Sequence, residues 1–220
     1  MPAHLRRDLD RLKRKILSFG AAVEENAQLA MASLRNIDST LAQRVIDRDE
    51  DINREEVEIE DECLKILALH QPVAVDLRYV ITVLKINSDL ERIADFSVNV
   101  AKRARTLAQQ PPVPLPKELN SIAEKSISMV KAALDSLVEQ DVSRARAVCI
   151  ADDSVDELQR LLYDVILAEI KKSPEFAAQW LQLFSTVRYF ERIGDLATNI
   201  AEDVIYLVEG EVVRHKDLGT

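Results

Sequence analysis

Apolar residues at Leu5, Leu9, Leu12, Ile16, Phe19 and Val23 alternate steps of four and three, the spacing of one helix face. A first helix is therefore expected from near Leu5 to about residues 36–38. Thr40 and Gln43 have capping-box spacing, in which two side chains satisfy each other's free backbone N–H groups, and they predict the start of a second helix. That helix carries the stripe Leu41, Val45, Ile52, Ile59 and Ile66 and runs to about Leu69. Pro72 suits the first turn of a third helix, where its missing N–H is not needed, and that helix continues to about Ala108. Next comes QQPPVPLPKE, with four prolines among residues 111–116, which favours an extended, stiff connector. A fourth helix follows from near Lys117 and a fifth after Asp141. Ser173–Pro174 read as cap and first turn of a sixth, which Gly210 stops.

Three helices thus precede the connector and three follow it. Short turns make neighbours antiparallel, so the pattern predicts an all-α protein of two tandem three-helix bundles. The expected division is a first bundle over residues 1–110, a proline-rich connector over 111–116 and a second bundle over 117–220. Internal duplication is the natural origin. SDLERIADFSVNVAKRA (88–104) lies over RYFERIGDLATNIAEDV (188–204) without a gap. Glu91, Arg92, Ile93, Asp95, Asn99 and Ala101 match Glu191, Arg192, Ile193, Asp195, Asn199 and Ala201.

On a helical wheel Leu77, Val80, Leu84, Glu91, Asp95 and Val98 share one sector of the third helix. Ala177, Trp180, Phe184, Glu191, Asp195 and Thr198 do so on the sixth, with Asn99 and Asn199 at the sector edge. The expectation is that these acids point inward, where a carboxylate must be paired, hydrogen-bonded or bound to a cation. Asp49, Asn53, Glu56 and Glu60 flank the stripe of the second helix; Asp152 and Asp156 answer Asp49 and Asn53 at an offset of 103. Acids four apart project side by side, so facing helices would gather carboxylates into a cation site. His4, His70 and His215 lie away from these acids. Oxygen-only ligation suits magnesium, calcium, manganese or ferric iron better than zinc or copper. The opposing reading is salt bridges from Glu91 and Glu191 to Arg78, Arg92, Arg188 or Arg192 on a metal-free scaffold.

Composition narrows the function classes. Scarce glycine (4) and aromatic residues (5%) favour helix, and a net charge of −9 argues against a nucleic-acid partner. Cys63 and Cys149 form no metal or redox spacing, which implies a reducing compartment. No apolar run reaches the roughly 18 residues of a membrane span, and the charged N-terminus does not read as a secretory signal. A cytoplasmic protein is expected. The cluster Arg6, Arg7, Arg11, Lys13, Arg14 and Lys15 is interleaved with Asp8 and Asp10, a solvated salt-bridged face first and an approach to phospholipid or an acidic partner second. Ile86, Ile93 and Val100 repeat every seven residues, as do Ile193 and Ile200. They are expected to cover the remaining helix of their own bundle, with a seam against the other bundle, a second copy or a partner as the alternative. No G-x-x-x-x-G-K-[ST] loop and no nucleophile constellation occurs, and an enzyme is not expected.

The doubled E-R-I-x-D-x-x-x-N signature at 91–99 and 191–199 resembles the PhoU family. So do QPVAVDLR at 71–78 and the DxxxN and DDxxD patterns at 49–53 and 152–156. The resemblance implies a PhoU-like fold and a negative accessory role in phosphate uptake and signalling. It implies contact with the ATPase subunit of the phosphate ABC transporter and with the sensor histidine kinase, in the cytoplasm or against the inner face of the plasma membrane. A homodimer is the expected assembly. Divalent or trivalent metal ions, iron among them, are implied at Glu91, Asp95, Glu191 and Asp195, then at Asp49, Asp152 and Asp156. Asn53, Glu56 and Glu60 are further candidate ligands, with Asn99, Asn199, Arg92 and Arg192 as additional polar ligands or supports. The repeats differ where Asn53 answers Asp156, Gln159 answers Glu56 and Tyr163 answers Glu60, so the two sites should differ in charge. Asp76 and Arg78 have no clear counterparts, which predicts a structural difference there. A carboxylate-bridged metal oxidase is a weaker alternative, because such sites use Glu-x-x-His and this chain has none.

Overall fold

The computed structural model describes residues 3–211. His215 and the ends of the two expected bundles, 1–2 and 212–220, lie outside the described residues. Helix α1 spans Ala3–Asn36, α2 Ser39–Asp47, α3 Asp49–His70, α4 Ala74–Leu107, α5 Lys117–Glu139, α6 Val142–Lys172 and α7 Ala177–Glu209. No strand occurs among the described residues. Helices α2 and α3 follow one path. Arg48 between them keeps a helical backbone, and the i→i−4 bonds Arg48 N–H to Arg44 O and Ile52 N–H to Arg48 O cross the junction. The second expected helix is thus present, with a distortion that its periodicity did not announce.

The duplication extends to the turns. Before α2, Ile37 takes a left-handed backbone (φ 49°) and Asp38 caps the helix, accepting from Thr40 N and Leu41 N. Before α6, Gln140 does the same (φ 53°) and Asp141 accepts from Arg144 N. Buried Ser33 and Ser136 accept the amides of Asp38 and Asp141 in turn. The expected capping box at Thr40 is corrected: Asp38, two residues earlier, supplies the cap. Pro72 is corrected too. It precedes the helix, buried, while Val73 is the cap residue of α4. Pro174 opens a 3-10 turn, Pro174–Phe176, and α7 begins only at Ala177. Where the first half has a loop with left-handed Gln71 and Ala74, the second has this 3-10 turn. The structural difference expected around Asp76 and Arg78 is found there.

Helices α1, α2, α3 and α4 pack around one another, and so do α5, α6 and α7. The two groups meet through α4 against α7 and α1 against α5. Helices α4 and α7 run antiparallel, for Lys85 meets Asp203 (3.0 Å), Phe96 stacks on Tyr189 (5.9 Å) and Arg103 reaches Gln182 (2.9 Å). At α1, a Cβ on Gly20 would come within 2.8 Å of Leu134 Cδ2 on α5. Glycine allows that close approach.

The seven-residue rows are buried, and they stand differently in the two halves. Ile86, Ile93 and Val100 are fully buried, and on the wheel of α4 they lie about 40° to 100° away from Lys85, Phe96 and Arg103, which touch α7. Ile193 and Ile200, equally buried, lie within about 40° of Gln182 and Tyr189, which touch α4. The row on α7 thus faces the seam with α4, while the row on α4 stands between that seam and the helices of its own half. Each such side chain contributes about 1.5–3 kcal/mol by leaving water, so the seam is part of the core.

A candidate acidic site in each half

The duplicated acids fall on the outer edges of two helix pairs, α3 with α4 and α6 with α7. The expectation that they point inward is corrected. Asp95, Asn53, Glu60, Arg92 and Arg192 are exposed; Glu91, Asp49, Glu56, Asp152, Asp156, Glu191, Asp195, Asn99 and Asn199 are half-buried. Leu77, which defined the same sector, is 39% exposed, and Leu84 is half-buried. The cause lies outside the single helix. Helix α4 is covered by α1, α2 and α3 on one side and by α7 on another, so its buried surface includes Val83, Leu90, Ile93, Ala94 and Ala101. The narrow sector with Glu91 and Asp95 is the part left over.

The acids nevertheless gather. In the first half, burial raises the pKa of Glu91, and Asp95, Glu56 and Asp49 add to that rise by repulsion. Burial and Asp95 likewise raise Asp49, against a smaller opposing pull from Lys102. Asp49 Oδ1 is buried without a hydrogen-bond partner, an arrangement that is unfavourable unless something else satisfies it. Burial and Glu60 raise Glu56. Buried Asn87 holds the neighbouring strand of helix in place by donating to the Glu56 carbonyl at 2.9 Å.

The second half is tighter. Burial, then Asp195, Asp156, Asp153 and Glu191, push Asp152 up to about 6. Glu191 is raised by burial and Asp195, and Asp195 by burial, with Arg192 opposing in both. Gly194 brings α7 close to α6 at this point, since a Cβ there would stand 3.3 Å from Asp152 Oδ1. Sequence reading missed Gly194, Lys102 and Asn87. The signal for Gly194 was visible as the one change, Ala94 to Gly194, inside the ERIxD core of the repeat.

These oxygens fit a hard cation in their chemistry: orphaned Asp49 Oδ1 and raised carboxylates are what a positive ion would relieve. As placed, no three His, Cys, Asp or Glu side chains stand in metal-ligating geometry among the described residues. The salt-bridge reading holds in part. Arg192 lies 3.8 Å from Glu191 and 3.7 Å from Asp195, whereas Arg92 pairs with Asp89 at 3.8 Å instead of with Glu91. His70 bonds Asp8 at 2.9 Å, on α1.

Six long helices in two copies of one pattern, each with an acidic cluster on its outer helix pair, define a duplicated acidic helical scaffold. The PhoU domain model matches this chain twice, over residues 16–104 and 119–204. The chain belongs to the PhoU family. It is 34% identical over 211 residues to the phosphate-specific transport system accessory protein PhoU homolog of Clostridium acetobutylicum, covering 96% of each chain. It is 36% identical over 212 residues to the homolog of the same name in Aquifex aeolicus, again covering 96% of each. The crystal structure of PhoU from Pseudomonas aeruginosa superposes with a TM-score of 0.91 at 36% identity, over 94% of this chain and 99% of that one. The phosphate transport system regulatory protein PhoU from Streptococcus pneumoniae gives 0.87 at 29% identity, over 95% and 99%.

Proposed function

We propose that this chain is a non-enzymatic accessory protein of phosphate-specific transport that restrains phosphate uptake and the phosphate regulon. Its partners in this reading are the ATPase subunit of the phosphate ABC transporter and the sensor histidine kinase, met in the cytoplasm by a homodimer. The observation that carries it is the doubled ERIxD signature, in register on two helix pairs of a chain that is 34–37% identical to PhoU accessory proteins over nearly its whole length. No helix among the described residues is long and apolar enough to cross a membrane, which fits a docking partner. Deleting the gene in phosphate-replete cells is expected to raise a phosphate-regulon reporter and phosphate uptake, with both restored by the wild-type chain. An unchanged reporter and unchanged uptake would refute the reading.

Cations belong to the same proposal. Asp49, Glu56, Glu91 and Asp95 would hold an ion in the first half, Asp152, Asp156, Glu191 and Asp195 in the second, with magnesium, calcium, manganese or iron as the hard ions of choice. A bound cation would offset the burial and the repulsion that raise Asp49, Glu56, Glu91, Asp152, Glu191 and Asp195. The metal-free scaffold is favoured by a separate observation, the absence of converging ligand triads among the described residues. Elemental analysis after gentle purification separates the two, with Glu91→Gln and Glu191→Gln as controls. Metal lost stepwise with each substitution supports ligation; metal content indifferent to both supports the scaffold.

A further inference from the structure

The second half carries a groove over α6 and α7. Tyr163 on α6 meets Phe184 on α7 edge to face, with ring centroids 5.7 Å apart. A cavity of about 420 Å³ opens over this pair and is walled also by Gln159, Arg160, Asp164 and Arg188. One turn closer to the 3-10 turn, Leu167 and Leu181 continue the same two rows. Leu167, Leu181 and Tyr163 are 36%, 55% and 51% exposed, an apolar run along the groove. Arg160 leans on Asp156 at 3.3 Å. Arg188 forms no ion pair among the described residues and acts on Glu191 only through space. At the aligned positions of the first half stand Glu60, Leu84, Val57 and Ser88 in place of Tyr163, Phe184, Arg160 and Arg188. The two halves thus differ at all four positions: one acid, two apolar residues and a serine stand in the first, two aromatic rings and two arginines in the second.

We propose that this groove seats an amphipathic helix of a partner protein. The partner's apolar residues would cover Tyr163, Phe184, Leu167 and Leu181, and a carboxylate one turn further would meet Arg188. Charge complementarity sets the occupant: Arg160 is paired with Asp156 and Asp164 shares the cavity, so Arg188, without an ion pair among the described residues, is the cation left at one end of the apolar trough. From Arg160 to Leu167 the trough runs about two helical turns, or roughly 11 Å, which matches a row of helix anchors spaced i, i+3 or i+4 and i+7. Tyrosine and arginine are also the residue types that dominate protein-binding hot spots. The inference rests on reading the chain as a regulator that docks on other proteins.

Full-length protein is titrated into fluorescein-labelled helical probe peptides of about 16 residues, carrying Leu and Phe at i, i+3 and i+7. One probe places a glutamate pair a turn beyond the anchors at its N-terminal end, the other at its C-terminal end; matched probes carry lysine instead. Saturable binding of one glutamate probe, with the lysine probes not binding, is expected. Arg188→Ser should weaken that binding at least about tenfold, which corresponds to about 1.4 kcal/mol. Tyr163→Glu with Phe184→Leu should abolish it, with circular dichroism unchanged, since the first half already carries those residues at the aligned positions. The proposal is overturned if neither glutamate probe binds, if the lysine probes bind equally, or if Arg188→Ser leaves affinity intact. It is also overturned if phosphatidylglycerol vesicles bind through these residues and the probes do not. Failure of the probes while the deletion strain still loses regulation removes the groove and leaves the regulatory role standing. A deletion strain with normal regulation removes the role instead.

Discussion

Asp152 is the acid whose environment opposes its charge most clearly. Burial and the carboxylates of Asp195 and Asp156 raise it from 3.8 to about 6. The folded chain therefore holds this proton more tightly than the unfolded chain does. Its contribution to stability is complete below about pH 3.8 and is lost as pH rises through about 6. Asp152→Asn is expected to stabilise the cation-free protein at pH 7.5 by about 1 kcal/mol, after discounting for solvent screening of a half-exposed group, and to have little effect at pH 4. Urea unfolding at both pH values in the presence of a chelator measures it; a loss of stability at pH 7.5 would contradict the electrostatic account. Gly194→Ala probes the same carboxylate from the facing helix. Alanine gains up to about 1 kcal/mol of helix propensity, while its Cβ at 3.3 Å displaces a side-chain oxygen that can swing toward solvent. Net stability should change by less than about 1 kcal/mol. If the clusters hold cations as proposed, manganese affinity of the second should fall several-fold while that of the first is unchanged, as read by calorimetric titration. Equal losses at both clusters would contradict it.

At the scale of elements, the duplicated turn makes a sharp comparison. Asp38 and Asp141 each satisfy free amides at a helix start, after a residue in the left-handed region. Asp38→Ala and Asp141→Ala should each cost about 1 kcal/mol. Thr40→Ala should cost less than about 0.5 kcal/mol, because Thr40 is the recipient of the cap and not its source. Chemical denaturation decides; the reverse order would restore the Thr40 capping box. Helix count, the central break and the repeat were all legible in the sequence, because helix faces, proline and the ERIxD copies are local signals. Cap positions slipped by one to three residues, and at α2 the reason is that Thr40 and Asp38 offer nearly the same side-chain chemistry. The direction of Glu91 and Asp95 was not legible. A wheel shows which residues share a side, but only the presence of α7 against α4 decides which side is covered. The identity of the acids was local information, and their depth was not.

At the scale of the molecule, the same α4–α7 contact decides whether the halves behave as two domains or one. The connector at 111–116 suggests separability. The packing argues against it, for Ile93 and Ile193 are both fully buried and the apolar core runs continuously through both halves. Trp180, the chain's single tryptophan, is 3% exposed in α7 and reports on the second half alone. Ile93 lies in the first half. If the halves are one cooperative unit, Ile93→Ala lowers the unfolding midpoint seen by Trp180 fluorescence as much as the midpoint seen by far-UV circular dichroism. The loss should be about 2–5 kcal/mol, the usual range for removing a buried isoleucine without full collapse of the space. Should the tryptophan midpoint stay fixed while the dichroism curve splits into two steps, the halves fold independently and the seam is only a contact surface. A shared shift would instead mean that anything perturbing the acidic edge of one half is transmitted to the stability of the other through α4 and α7.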